Sequence, residues 1–183
     1  FLYNCQMLRS VEQVRATIDE IKVAMNKRMI LTIMPTENCN FKCSYCYENH
    51  EQIVMSEKQM NGIIKFVGDK IKYINRIDIN WFGGEPTLQF DIIRKTNEGI
   101  RALLNEENKV VLKSGMTTNG YLLTKKEFVK YYNLGITKYQ ITLDGFNHDS
   151  TRPLCNGQPT LKKIIDNLID ILSVSRDYKF EIT

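Results

Sequence analysis

Three cysteines fall within eight residues, Cys39-Asn40-Phe41-Lys42-Cys43-Ser44-Tyr45-Cys46, with the spacing C-x3-C-x2-C. Thiolates this close in sequence can converge from a single loop on an iron–sulfur cubane. Ordinary ferredoxin clusters use four cysteines, so three ligands leave one iron open to a small molecule. Two other chemistries compete. His50 lies four residues after Cys46, so the three cysteines and His50 could form a Cys3His zinc site. The cysteines could also be buried structural thiols, although Asn40, Lys42 and Ser44 between them suit a core poorly. Cys5 and Cys155 bring the total to five. An odd number with three clustered is no disulfide framework and fits a metal site in a reducing cytoplasm. Cys5 reads as an incidental thiol. Cys155, in a loop flanked by proline and glycine, reads as incidental or as substrate-linked or redox-active.

The cysteines must be held by a scaffold, and helix and strand patterns alternate along the chain. Ser10 to Gln13 is a capping box, followed by Val14, Ile18, Ile21 and Met25 at helical spacing. Met29 to Pro35 reads as a first strand that runs directly into the cysteine loop. Ser56 to Gln59 is a second capping box, with Met60, Ile63, Ile64, Val67 and Ile71 on one helical face. Arg76 to Phe82 is a second strand and 89–105 a third helix. Val110 to Thr117 is a third strand, and Thr124 to Glu127 opens a fourth helix carrying Phe128, Tyr131 and Tyr132. Ile136 to Leu143 is a fourth strand, 161–172 a fifth helix, and Tyr178 to Thr183 the start of a fifth strand.

Strands alternating with helices of this length imply βαβ units and a parallel sheet. A flat parallel sheet covered on both faces needs almost continuously apolar strands. Here Asp78 and Asn80 share one face of the second strand, and Gln140 and Thr142 one face of the fourth. Such faces suit a wet or ligand-filled lumen. The expected fold is therefore an α/β partial barrel of parallel strands with helices only on the outside. Residues 1–28 read as an N-terminal helical segment and 29–183 as the core domain. A closed eight-stranded barrel needs about 200 residues or more, and the chain stops inside a strand pattern. It also begins at Phe1. We therefore expect a piece of a longer enzyme, truncated at its C-terminus.

Composition limits the partners. Lys plus Arg number 25 and Asp plus Glu 21, a net charge of +4, spread along the chain and interleaved with acids. That is too mild to indicate nucleic acid or a membrane surface. No apolar run approaches a membrane span, and no signal peptide is visible. Hydrophobic residues at 43% are those of a globular domain, and a cytoplasmic location is expected.

C-x3-C-x2-C with Tyr45 before the last cysteine resembles the pattern of the radical S-adenosylmethionine (SAM) superfamily. Three further motifs end the next strands. Trp81-Phe82-Gly83-Gly84-Glu85-Pro86 resembles its GGE motif and Thr118-Asn119-Gly120 its T-N-G turn. Leu143-Asp144-Gly145, followed by His148-Asp149-Ser150-Thr151-Arg152, resembles an LDG…HDxxR stretch. The combination is similar to the peptide-modifying branch with SPASM or related auxiliary-cluster domains, which includes sulfatase and thioether maturases. The insert Gly145-Phe146-Asn147 is shorter than in that pattern, while the spacing from His148 to Arg152 matches.

The resemblance implies a set of roles. Cys39, Cys43 and Cys46 would ligate a [4Fe–4S] cluster whose fourth iron is chelated by SAM. Gly83, Gly84 and Glu85 would hold the methionine amino group, with glycines allowing close backbone approach. Arg152 would pair with the SAM carboxylate through its planar guanidinium. The Tyr45 backbone would lie near adenine, and Thr118, Asn119 and Asp144 near ribose or substrate. His50 and His148 read as structural or surface residues. Reductive cleavage of SAM would give a 5′-deoxyadenosyl radical for attack on a peptide or protein, fed by a low-potential donor such as flavodoxin or ferredoxin. A zinc-stabilised binding module and an electron-transfer cluster protein remain the competing readings.

Overall fold

A computed structural model describes residues 10–49 and 51–183. Cys5 and His50 lie outside these residues. Five strands, β1 (Arg28–Ile33), β2 (Arg76–Trp81), β3 (Val111–Thr118), β4 (Ile136–Ile141) and β5 (Glu181–Ile182), form one parallel sheet in the order β1-β2-β3-β4-β5. Spatial order equals chain order, so the winding never reverses as it does in a doubly wound sheet. The helices are α1 (Val11–Asn26), α2 (Glu57–Lys70), α3 (Phe90–Arg101), α4 (Lys125–Asn133), a one-turn α5 (His148–Thr151) and α6 (Leu161–Leu172). None is long and apolar enough to cross a membrane.

Caps and periodicity account for these boundaries. Ser56 accepts from the Gln59 N–H, and the Gln59 side chain accepts from the Ser56 N–H, completing the expected capping box of α2. Ser10 and Gln13 exchange the same pair of bonds before α1. The Thr124 hydroxyl accepts from the Glu127 N–H and caps α4. Short α5 and the 3-10 turn before it, Gly145–Asn147, were not expected from periodicity. They are too brief to carry one.

The sheet is covered on one face only. In β2, Ile77, Ile79 and Trp81 are buried while Arg76, Asp78 and Asn80 are not. Ser114, Met116 and Thr118 of β3, and Ile136, Tyr139 and Ile141 of β4, continue the covered face. Helical residues Val67, Ile93, Ile100, Phe128, Ile164 and Ile171 complete this core. The opposite face carries Lys113, Gly115, Thr117, Lys138 and Gln140 and is open, as expected of a barrel lumen. The sheet is thus a partial barrel with outer helices.

Two features of the sequence pattern are completed only by the fold. Asp78 does lie on the open face, but its carboxylate is engaged by Arg28 and Arg76, each at 2.6 Å, so it is not free to orient a ligand. The apolar stripe of α1 is not buried: Val14, Ile18 and Ile21 are 43–52% exposed. A helical period shows that a face is apolar, not that a neighbour covers it.

Trp81 fills the centre of the core, fully buried, and its indole N–H donates to the Ser114 hydroxyl at 3.1 Å. Trp81→Ala is expected to cost about 3–5 kcal/mol through lost burial and a residual cavity, read as a lowered midpoint in urea denaturation.

Candidate active site

The loops that leave the carboxyl ends of β1 to β4 meet in one place. The loop after β2 runs against the loop after β1, with the Gly84 N–H donating to the Thr36 carbonyl and the Glu85 N–H to the Asn38 carbonyl. Side chains are excluded from this contact. A Cβ on Gly83, which has φ 109°, would lie 2.4 Å from the Thr36 carbonyl oxygen, and one on Gly84 would lie 2.3 Å from that of Asn38. From the other side, the segment after α5 pairs with the cysteine loop. The Lys42 and Ser44 N–H groups donate to the carbonyls of Pro153 and Thr151, and the Cys155 N–H donates to that of Asn40.

Cys39, Cys43 and Cys46 then line one cavity of about 280 Å³ together with Tyr45, Gly83, Gly84, Thr118, Asn119, Arg152, Gln140 and Thr142. Burial pushes the Cys39 thiol up to about 12. The Cys43 thiol is also raised, by burial first, against the opposing charge of Arg152. Ligation must therefore displace protons from these sulfurs. Among the described residues, no three His, Cys, Asp or Glu side chains come close enough to share a single metal ion. A cubane asks for something different, because its three ligand sulfurs bind three separate irons. The zinc reading is not favoured.

Glu85 departs from its expected place. Its carboxylate is completely buried, does not line the cavity, and turns beneath the glycine pair toward β3. It accepts from the Thr87 N–H at 3.0 Å, the Thr87 hydroxyl at 2.5 Å, the Thr118 hydroxyl at 2.7 Å and the Asn119 N–H at 2.7 Å. Burial holds it above the usual carboxylate range, against hydrogen bonds that favour the ionised form. It ties the ends of β2 and β3 together. Asn119 extends the tie, its amide donating to the Asn40 side chain at 2.8 Å inside the cysteine loop.

Asp144 also lies off the cavity wall. Its carboxylate accepts from the Tyr45 hydroxyl at 2.8 Å and the Thr151 hydroxyl at 2.7 Å. Burial pushes it up, but these bonds and the charge of Arg152 together hold it below the usual range. Arg152 is 9% exposed and donates to the Tyr45 hydroxyl at 2.8 Å. Its Nε is buried without a hydrogen-bond partner. His148 is fully buried, and its Nδ1 accepts from the Asp144 N–H at 3.2 Å. Burial and the Arg152 charge lower its pKa and keep it neutral. It is structural, as expected.

Sequence reasoning missed the Tyr45 side chain, whose hydroxyl joins Asp144 to Arg152, and missed Thr151. Both join residues about a hundred positions apart, or a short turn, where no local period carries a signal. Cys155 sits with its sulfur 3.5 Å from the Cys39 and Phe41 carbonyl oxygens, as part of the wall behind the loop.

Glu85→Ala leaves buried donors on Thr118, Asn119 and Thr87 unpaired, and is expected to cost about 1–3 kcal/mol. The folded-state pKa of Glu85 is raised. Its contribution to stability is therefore full below the unfolded pKa and is lost as pH rises through the folded value. Subtracting Glu85→Gln from wild-type unfolding free energies across that window should show this loss; a flat difference would contradict it.

Comparison with known proteins places this geometry. The radical SAM superfamily profile matches residues 33–182. A Methanocaldococcus jannaschii protein, MJ0907, is 32% identical over 139 residues, covering 73% of this chain and 44% of that one. The probable GTP 3′,8-cyclase of Methanococcus aeolicus is 30% identical over 138 residues, covering 73% and 43%. Among solved structures, anSMEcpe with bound AdoMet and the Cp18Cys peptide superposes with a TM-score of 0.70 at 25% identity, over 85% of this chain and 42% of that one. The chain thus spans less than half the length of these relatives. The superfamily uses a [4Fe–4S] cluster and AdoMet. Motifs, fold and cavity agree with that match over most of the chain, which belongs to the radical SAM superfamily.

Proposed function

We propose that this chain is the core of an enzyme that reductively cleaves SAM at a [4Fe–4S] cluster and directs the product radical at a peptide or protein. One observation carries the reading. Three cysteines, a side-chain-free glycine turn and a nearly buried arginine share a single cavity.

The residues fit the groups they would hold. Cys39, Cys43 and Cys46 would ligate the cluster, and Gly83 and Gly84 leave backbone accessible to an ammonium group. The Arg152 Nε, a buried donor with no partner in the protein, suits the SAM carboxylate. Asp144 and Thr151 act through Tyr45, holding its hydroxyl where Arg152 donates to it. When bound, the cluster and SAM supply the cleavage that yields methionine and a 5′-deoxyadenosyl radical, with the electron drawn from a low-potential donor such as flavodoxin or ferredoxin. The protein supplies binding and orientation and excludes competing reactions.

Two substrate classes have support. The fold match to a peptide-bound structure favours a peptide. The relatives named GTP 3′,8-cyclase favour a nucleoside triphosphate. The cavity wall argues for the peptide. Arg152 is its only cation among the described residues, while Thr117, Asn119, Gln140 and Thr142 offer neutral donors and acceptors. Such groups match peptide amides better than a polyanion.

Anaerobic reconstitution with iron and sulfide, followed by dithionite and SAM, should yield 5′-deoxyadenosine. Cys43→Ala should abolish both the cluster absorbance and the product. Turnover that survives this substitution refutes the cluster assignment. Stimulation of turnover by GTP, and not by cysteine-containing peptides, would select the nucleotide class.

A further inference from the structure

Arg152 is fixed by its backbone, by one ring contact and by one of its nitrogens. Its N–H donates to the His148 carbonyl at 2.7 Å, and its carbonyl accepts from the Thr160 hydroxyl at 2.7 Å. The guanidinium lies over the Phe41 ring, 5.8 Å from its centre. Nη1 donates to the Tyr45 hydroxyl at 2.8 Å, whereas Nε is buried without a partner. Among the described residues Nη2 has no hydrogen bond either, so the Nε–Nη2 edge is open. That edge can take a carboxylate side-on, through two parallel hydrogen bonds.

A carboxylate of the protein already stands nearby. The two oxygens of Asp144 accept from the Tyr45 hydroxyl at 2.9 and 2.8 Å, and one of them also accepts from the Thr151 hydroxyl at 2.7 Å. Asp144 and Arg152 are thus joined through the tyrosine oxygen. Among the described residues no direct ion pair forms between them, although each feels the charge of the other. A neutral tyrosine has one proton to give. Asp144 takes it, which leaves the oxygen lone pairs for Nη1.

Opposite charges this close attract strongly when partly buried, and a guanidinium matches a carboxylate in shape. With nothing between them, Arg152 would close on Asp144 and its open edge would be consumed. The backbone cannot keep the two residues apart. Both are anchored on His148, whose Nδ1 accepts from the Asp144 N–H and whose carbonyl accepts from the Arg152 N–H. A side chain placed between the charges can do so, and the Tyr45 hydroxyl occupies that place.

We infer that Tyr45 is a positioning residue that works as a spacer: its hydroxyl holds Arg152 off Asp144 and leaves the guanidinium edge free for the SAM carboxylate. This inference rests on the Arg152 reading above. Asp144 has the matching part, because it fixes the hydroxyl proton and with it the direction in which Nη1 is held. Loss of the hydroxyl then does its harm through Asp144, and removal of the Asp144 charge undoes that harm.

The test uses the reconstituted protein, Tyr45→Phe, Asp144→Asn, the double variant and Arg152→Ala. SAM affinity is measured anaerobically by calorimetry without reductant, with decarboxylated SAM as the carboxylate-free control. Tyr45→Phe should weaken SAM binding by about tenfold or more, the scale of one hydrogen bond to a charged group. It should leave binding of decarboxylated SAM unchanged. Asp144→Asn should change SAM affinity little in the wild type, yet recover about fivefold in the Tyr45→Phe background. Both single variants should keep the cluster absorbance. The cluster-free Tyr45→Phe protein should melt near the wild-type temperature, because a direct ion pair replaces the lost bonds. Unchanged SAM binding in Tyr45→Phe would overturn the inference, as would a double variant that binds no tighter than Tyr45→Phe. An equal fall with decarboxylated SAM would overturn it too, and assign the ring to the adenosyl group. So would lost cluster absorbance, which would make the tyrosine a brace for the cysteine loop. Arg152→Ala that binds SAM as tightly as the wild type would refute the Arg152 reading itself, and the spacer with it.

Discussion

Everything at the mouth of the sheet depends on backbone meeting backbone where β1 and β2 end. Gly83 and Gly84 lie so close to the Thr36 and Asn38 carbonyls that any Cβ would overlap them. That contact fixes the path of the cysteine loop relative to the second strand. Glu85 then locks the junction to the third strand through hydrogen bonds from Thr118 and Asn119. An unpaired buried carboxylate is expensive, and among the described residues no ion pair offsets it. Only convergent donors do, two of them backbone N–H groups and two threonine hydroxyls. The carboxylate earns its place by bracing three loops rather than by facing a ligand.

The fold was legible because its physics is local and periodic. The alternation of Ile77, Ile79 and Trp81 with Asp78 and Asn80 revealed a sheet covered on one side, and the capping boxes at Ser56 and Ser10 set the starts of α2 and α1. The stripe on α1 was equally periodic and equally apolar, yet it stays exposed. Pattern reports what a face can bury, and only the tertiary arrangement decides whether it does. Asp78 shows the same limit, since its arginine partners sit on its own and the neighbouring strand at a register that only pairing sets.

At the site, residue types were legible and directions were not. The fold brings the cysteines, the glycine pair and Arg152 to one cavity wall. Glu85 was expected beside an ammonium group because its motif names a carboxylate, but a motif cannot say on which side of the turn that carboxylate lies. The Tyr45–Asp144–Arg152 network was invisible for another reason. Its members come from two distant loops, and their bonds exist only once the segment 151–155 has paired with the cysteine loop.

Charge balance explains why these features belong together. The Cys39 and Cys43 thiols, desolvated by the loops that pack on them, hold their protons well above neutral pH. Binding iron replaces those protons with metal charge, so the thiolates need no permanent cations around them. A single arginine is then sufficient on the cavity side, and it remains available to a carboxylate instead of being consumed by sulfur.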